Sequence, residues 1–295
     1  AIYNYGTSEE PAKVYGNTIN FNSNAYGIRG NALDIQDNTI SGDGACGVFI
    51  SGTGEHTYFV NNTVSTSNPD STGNSIGIKV ENYVQIEMHH NLFVTGGTGL
   101  EISHVSIGNV YNNTLAGSGN GYGVWVHDEA DPDIYNNIIT GYSTAVHAQT
   151  NVTSIRYNDV WNNNVDYSGA GLPDLFGFIA AVNTNGDDCD VYANIFFDPL
   201  FTGDNYNLSE NSPCIDAGVP ETFDNNGTVS DMGVFSYNPA GLSAFSEAPE
   251  SVTLQWQPSI ADSLDDYDLG YRISSEDEFS DLGETTDTQY IAEGL

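Results

Sequence analysis

Val110-Tyr111-Asn112-Asn113-Thr114-Leu115 returns 24 residues later as Ile134-Tyr135-Asn136-Asn137-Ile138-Ile139, and stands 22 residues earlier as Met88-His89-His90-Asn91-Leu92-Phe93. Working outward, the frame reappears at Phe59-Val60-Asn61-Asn62-Thr63-Val64, Ile35-Gln36-Asp37-Asn38-Thr39-Ile40 and Val14-Tyr15-Gly16-Asn17-Thr18-Ile19. A weaker copy is Ile155-Arg156-Tyr157-Asn158-Asp159-Val160. From Asn17 to Asn158 the asparagines are spaced by 21, 24, 29, 22, 24 and 21 residues. Self-similarity at such a period marks a solenoid, in which each repeat is one structural unit too small to bury its apolar face alone.

A second frame follows each asparagine: Gly27-Ile28-Arg29, Gly47-Val48-Phe49-Ile50, Gly77-Ile78-Lys79-Val80, Gly99-Leu100-Glu101-Ile102, Gly123-Val124-Trp125-Val126 and Ala145-Val146-His147-Ala148. Apolar and variable residues alternate, as in a strand with one buried face. No stretch sustains a 3.6-residue period, so few helices are expected. Two or three short strands in a coil of about 23 residues predict an all-β parallel β-helix whose coils stack at roughly 4.8 Å. Ile28, Val48, Ile78, Leu100, Val124 and Val146 fall in one inward file, and Ile50, Val80, Ile102, Val126 and Ala148 in the next. The recurring asparagines are expected to form a ladder at a turn. Asn tolerates left-handed backbone, and its amide can bond coils above and below. Their role is therefore read as structural.

This pattern resembles the right-handed parallel β-helix repeats of the pectate-lyase-like superfamily, over roughly residues 12–200. That resemblance implies a right-handed solenoid, and the superfamily hosts lyases, hydrolases, adhesins and non-catalytic surface proteins, so the fold does not choose a chemistry. The arginine-based lyase mechanism has no placed candidate, because Arg29, Arg156 and Arg272 are the only arginines. Phe197-Asp198-Pro199-Leu200-Phe201, Tyr206-Asn207-Leu208, Ser212-Pro213-Cys214-Ile215-Asp216-Ala217-Gly218 and Asp231-Met232-Gly233-Val234-Phe235 resemble the C-terminal segment of choice-of-anchor bacterial β-helix proteins, which implies secretion and surface display. Val252-Thr253-Leu254-Gln255-Trp256 and Asp268-Leu269-Gly270-Tyr271-Arg272-Ile273 resemble the first half of a fibronectin type III domain. The expected organisation is a β-helix over 1–200, a cap over 201–237 closing the open strand edge, a linker over 238–249 and a partial β-sandwich-like segment over 250–295.

The 295 residues hold 5 Lys and Arg against 40 Asp and Glu, a net charge of −35. Nothing is available to neutralise phosphates, so nucleic acid is excluded as a partner, and an anionic polysaccharide would be repelled unless cations bridge it. Such acidity fits an extracellular or bacterial cell-surface protein in a saline setting, where salt screens the repulsion. No stretch reaches transmembrane length and no signal peptide is visible. Of the three cysteines, Cys189 and Cys214 are candidates to pair, while Cys46 reads as a small apolar filler.

Candidate chemistry lies on the outward files. One reads Arg29, Phe49, Lys79, Glu101, Trp125, His147. The next reads Asn31, Ser51, Glu81, Ser103, His127, Gln149, followed by Asn82, His104 and Asp128. Phe49, Lys79, Glu81, Trp125 and His147 are the candidate binding residues, an aromatic-and-charged set suited to sugars. Glu101, His127 and Asp128 are the catalytic candidates, because glycoside cleavage needs two carboxyls flanking the bond and a proton carrier. Asp224, Asn226 and Asp231 space oxygen ligands around a glycine turn, as hard-cation loops do, and are the candidate site for Ca2+, the one cofactor in view; an Asx turn is the other reading. His89 and His90 are expected to point apart. The file Tyr15, Gln36, Val60, His89, Tyr111, Tyr135, Arg156 is a second aromatic stripe, expected to lie beneath the C-terminal segment. The leading functional expectation is a non-catalytic β-helix binding a polysaccharide or a cell-surface protein. The alternatives are a polysaccharide lyase or glycoside hydrolase working on the Glu101/Trp125/His127 face, and a self-assembling extracellular filament subunit.

Overall fold

A computed structural model describes residues 2–5, 11–22, 25–52, 56–67, 75–224 and 227–237, and beyond them the strands Ser243–Ala248, Ser251–Gln255, Tyr267–Tyr271, Ser280–Thr285 and Gln289–Glu293. The chain divides into two units, 1–237 and 238–295. The first is a parallel right-handed β-solenoid of about 7 turns. Each coil runs through three sheets. The first sheet stacks Ile2–Tyr5, Tyr26–Asn31, Cys46–Ser51, Ile76–Glu81, Thr98–Ile102, Tyr122–Val126, Thr144–Ala148 and Val165–Ser168. The second runs from Ala12–Tyr15 to Ser154–Arg156 and the third from Thr18–Phe21 to Asp159–Trp161. Every pair within these three sheets is parallel and in the register of the repeat, for example Ile28 with Val48 and Leu100 with Val124.

Both predicted inward files are fully buried. The glycine before the first file has a separate reason. A Cβ on Gly77 would meet the Gly99 carbonyl oxygen at 2.6 Å, and one on Gly99 the Gly123 oxygen at 2.7 Å. The backbone bends inward here too closely for a larger residue.

The asparagine ladder lies at the two-residue turn between the second and third sheets. The backbone N–H of Asn91 and its side-chain Nδ2 both donate to Asn113 Oδ1, at 3.0 and 2.9 Å. Asn91 Nδ2 also reaches the Phe59 and His89 carbonyls. The same pattern joins Asn38, Asn62, Asn113, Asn137 and Asn158, and Asn17 donates into it. An eighth rung, Asn194, follows after an interval of 36 residues, its Oδ1 accepting from the Asn158 N–H. The long insertion between the last two rungs hid it from the period. Asp190 ends the series: its Oδ1 accepts the N–H groups of Asn194 and Tyr192, where a further asparagine would have stood.

One expectation needs correction. The left-handed residue is not the ladder asparagine but its predecessor: Gly16, Asp37, Asn61, His90, Asn112, Asn136, Tyr157 and Ala193 all have φ between 48° and 65°. Turning the chain one residue early leaves the asparagine side chain free to point along the solenoid axis.

The cap also departs from expectation. The end of the ladder is closed by the segment around Ile195, whose N–H donates to the Asn158 carbonyl. Residues 201–237 include segments that lie along the side of the solenoid. Cys214, Ala217 and Met232 cluster with Ile138 and Ile195, and Val234 N–H donates to Thr114 Oγ1. Asn136 Oδ1 accepts the Val219 N–H and Asn112 Nδ2 donates to the Asp231 carbonyl. Ile138 is an outward apolar side chain, and covering it is the gain that draws the segment onto the third sheet. Cys46, Cys189 and Cys214 are all buried free thiols, so Cys189 and Cys214 do not pair. Cys214 instead faces Asp159 Oδ2 at 3.4 Å.

In the second unit, Ser243–Ala248, Ser251–Gln255 and Gln289–Glu293 form an antiparallel sheet, and Tyr267–Tyr271 pairs with Ser280–Thr285. The first of these strands falls inside the predicted linker: its pairing with Ser251–Gln255 recruits residues that the Pro and Gly content had marked as loop.

Asn113→Ala strips an acceptor from two buried donors of Asn91. It is expected to cost on the order of 3 kcal/mol, against less than about 1 kcal/mol for Asn17→Ala at the exposed end of the ladder. Denaturant midpoints of the two variants check this difference.

Candidate functional site

The outer face of the first sheet carries the candidate residues in register: Phe49 beside Lys79, Lys79 beside Glu101, Glu101 beside Trp125, and Trp125 beside His147. Strand alternation turns each of them outward because Val48, Ile78, Leu100, Val124 and Val146 are turned inward.

Glu101 is the centre of the arrangement. It is only 4 % exposed, and its Oε1 receives Lys79 Nζ at 2.8 Å and His127 Nε2 at 3.2 Å. Lys79 also reaches Glu81 Oε2 at 3.3 Å. Burial alone would lower the Lys79 pKa, but its hydrogen bond to Glu101 and the charges of Glu101 and Glu81 outweigh that and raise it. The other nitrogen of His127, Nδ1, lies 3.0 Å from Asp128 Oδ2, and His104 Nδ1 lies 3.7 Å from the same oxygen. Both ring nitrogens of His127 therefore face carboxylates. The catalytic candidates Glu101, His127 and Asp128 do come together, in a chain of contacts that also draws in Lys79 and Glu81.

The aromatic residues form two groups on this face. Trp125 stacks on His127 with centroids 4.4 Å apart, and Tyr122 stacks on His147 at 4.8 Å while tilting against Trp125. The indole Nε1 is enclosed and has no hydrogen-bond partner. His147 Nδ1 meets Ser168 Oγ at 2.6 Å, and burial and the charge of His127 lower its pKa. Toward the N-terminal coils, Phe49 packs on Tyr26, and the Arg29 guanidinium lies over both rings. Phe49 is thus separate from the Glu101 cluster. Tyr26 and Tyr122 were not among the sequence candidates. Each precedes the frame glycine, at a position outside the alternating pattern, and that placement is the signal that marks them.

The second aromatic stripe also stands in register, but it is a stack, not a buried seam. Tyr111 and Tyr135 lie parallel within 1° at 4.9 Å, His89 stacks on the other side of Tyr111, and Arg156 covers Tyr135. Tyr15 remains 43 % exposed, so the stripe is open at its first coil. The His89 and His90 rings meet edge to face with their Nδ1 atoms 2.9 Å apart, and do not point apart. Burial, and then the charge of His90, lower His89 to about 4.

Of the candidate calcium ligands, Asn226 lies outside the described residues. Asp224 Oδ2 accepts the Asp231 N–H at 3.0 Å, and the Asp231 carboxylate accepts the N–H groups of Asp216 and Tyr237. Burial pushes Asp231 up to about 7. These carboxylates clamp the loop on itself. Among the described residues, no three His, Cys, Asp or Glu side chains are grouped to hold a metal ion.

The family model for the right-handed beta helix region matches residues 1–196. The chain belongs to this family, in agreement with the solenoid just described. No curated protein and no solved structure gives a significant match.

Two predictions follow from these geometries. Lys79→Met leaves the buried Glu101 with a single partner and is expected to cost about 2–3 kcal/mol, reduced from the full buried-pair penalty because Lys79 is partly exposed. A double-mutant cycle with Glu101→Gln isolates the pair energy. His89 is neutral in the folded chain down to about pH 4, whereas the unfolded chain takes up its proton near 6.5. Its contribution is therefore intact above pH 6.5 and is lost as pH falls toward 4. His89→Tyr is expected to remove that slope, so its stability relative to the parent should rise steadily across this window in urea titrations.

Proposed function

We propose that the outer face of the first sheet binds a neutral glycan and that the protein is a non-catalytic, surface-displayed β-helix. The observation that carries this reading is a contrast within one patch. The charged groups Lys79, Glu81, Glu101 and Asp128 are held in contacts among themselves and with the His127 ring, while the Trp125 and Tyr122 rings beside them stay partly exposed. The patch stays acidic, with the carboxylates of Glu81, Glu101 and Asp128 set against Lys79 and the His127 ring, so it disfavours an anionic polymer while its rings offer apolar surface to an uncharged polyol. Trp125 and Tyr122 supply ring surface, and the exposed Gln149 supplies a polar contact. The net charge of −35 disfavours anionic polymers and accords with an extracellular, salt-screened setting.

The engagement of both His127 nitrogens weighs against a free base at this site, and the Lys79–Glu101 pair weighs against Glu101 as a proton donor. Affinity electrophoresis on neutral and anionic polysaccharides, with a parallel assay for new reducing ends, tests the proposal. The expected outcome is retardation by a neutral polymer, weakened at least about tenfold in Trp125→Ala, without cleavage. Cleavage abolished by Glu101→Gln or His127→Ala would replace this reading with that of a lyase or hydrolase.

A further inference from the structure

The insertion between the last two ladder rungs carries a cluster of exposed apolar residues among the described residues. Ile179–Val182 pairs antiparallel with Asp188–Asp190, and all four residues of the first strand are exposed. Ile179 is 46 % and Val182 64 % exposed, and the preceding turn displays Leu175 at 61 % and Phe178 at 62 %. In a two-stranded sheet, Asp188–Asp190 continues to Ile195 through Cys189, whereas Ile179–Val182 has no second neighbour among the described residues. Natural edge strands are blunted by lysine, proline or a covering loop. This one is short and shifts register between Ile179 and Ala181, but its apolar sequence, Ile-Ala-Ala-Val, carries no lysine or proline.

The hairpin is anchored by hydrogen bonds at its base. Leu175 takes a left-handed backbone, φ 62°, a strained conformation for a branched apolar residue. The strain is retained by Phe178 N–H on the Leu175 carbonyl and by Gly177 N–H on Asp190 Oδ2 at 2.9 Å. Asp190 is the same carboxylate that ends the asparagine ladder through Asn194 and Tyr192. The hairpin is therefore tied through Asp190 to the end of the asparagine ladder.

We propose that Ile179–Val182 is a strand-addition site for an extended segment of another protein, one with alternating apolar residues flanked by lysine or arginine. Strand addition draws affinity from main-chain hydrogen bonds and specificity from alternate side chains. The flanking charge follows from the surroundings: Asp174, Asp187 and Asp188 border the hairpin, and no Lys or Arg occurs between Arg156 and Arg272. A second copy of this chain is the poorer occupant, because it carries the same net charge of −35 and the same acidic flanks.

The test uses the whole chain and two labelled synthetic peptides of alternating Val and Thr, one flanked by Lys and one by Glu. Fluorescence anisotropy is expected to show binding of the Lys-flanked probe and little of the Glu-flanked one. Ile179→Ser/Val182→Ser should weaken binding at least about tenfold, and Asp174→Asn/Asp188→Asn should erase the preference between the probes. All four side chains are exposed or at the hairpin rim, so unchanged melting temperatures verify that both variants fold. Hydrogen exchange should show new protection of the Ile179–Val182 amides in the complex. Equal binding to the Ser variant, no binding of either probe, or a dimer in sedimentation that the Ser variant abolishes would each overturn the proposal.

Discussion

The whole solenoid depends on one contact repeated along its axis: an asparagine Oδ1 that accepts both the main-chain N–H and the side-chain amide of the asparagine one coil before it. At a two-residue turn the backbone cannot complete a sheet ladder, yet its polar groups are enclosed, and an enclosed unpaired group costs as much as a lost hydrogen bond. The asparagine amide supplies donors for carbonyls on its own and the preceding coil, and an acceptor for the same preceding coil. With that turn satisfied, the strands on either side hold register, and each inward residue stands over its counterpart. A slip of one residue would turn every buried side chain outward.

The same constraint organises the rest of the unit. Register places Lys79, Glu101 and Trp125 on adjacent coils at strand spacing, so an ion pair, a buried carboxylate and a ring cluster form without any loop being folded specially for them. It also brings His89, Tyr111, Tyr135 and Arg156 into a stack. The two aromatic files differ in a way that bears on function. Tyr111 has a ring stacked on each face, so the file is closed on itself, whereas Trp125 stacks on His127 and meets Tyr122 only at a tilt. Where the ladder stops, Asp190 substitutes a carboxylate for an asparagine and anchors the insertion that precedes it.

Much of this was legible in the sequence because a solenoid converts sequence period directly into spatial adjacency. The inward files, the seven regular rungs and the outward order of Lys79, Glu101, Trp125 and His147 all follow from aligning the repeats. Legibility failed where contacts are long in sequence or depend on side-chain direction. Asn194 lay beyond a long insertion. The left-handed position was assigned one residue late, since the frame shows which residues recur but not which of two turn residues reverses the chain. Tyr26 and Tyr122 sit before a glycine that breaks the alternation, and Cys189 and Cys214, both placed by the repeat near the end of the solenoid, are separate buried thiols.

The sequence by itself determined the fold family, the number of regular coils, the identity of the buried files and the acidic character of the surface. These are properties of period, alternation and composition, which neighbouring coils read locally. Only the tertiary structure decided that Glu101 is shared between Lys79 and His127, that the segment after residue 200 lies along Ile138 and not solely over the last strand edge, and that Ile179–Val182 stands exposed. Each of these turns on which side chains meet across coils or across a hundred residues of chain, and that depends on rotamer, turn geometry and burial, which a repeat alignment does not encode.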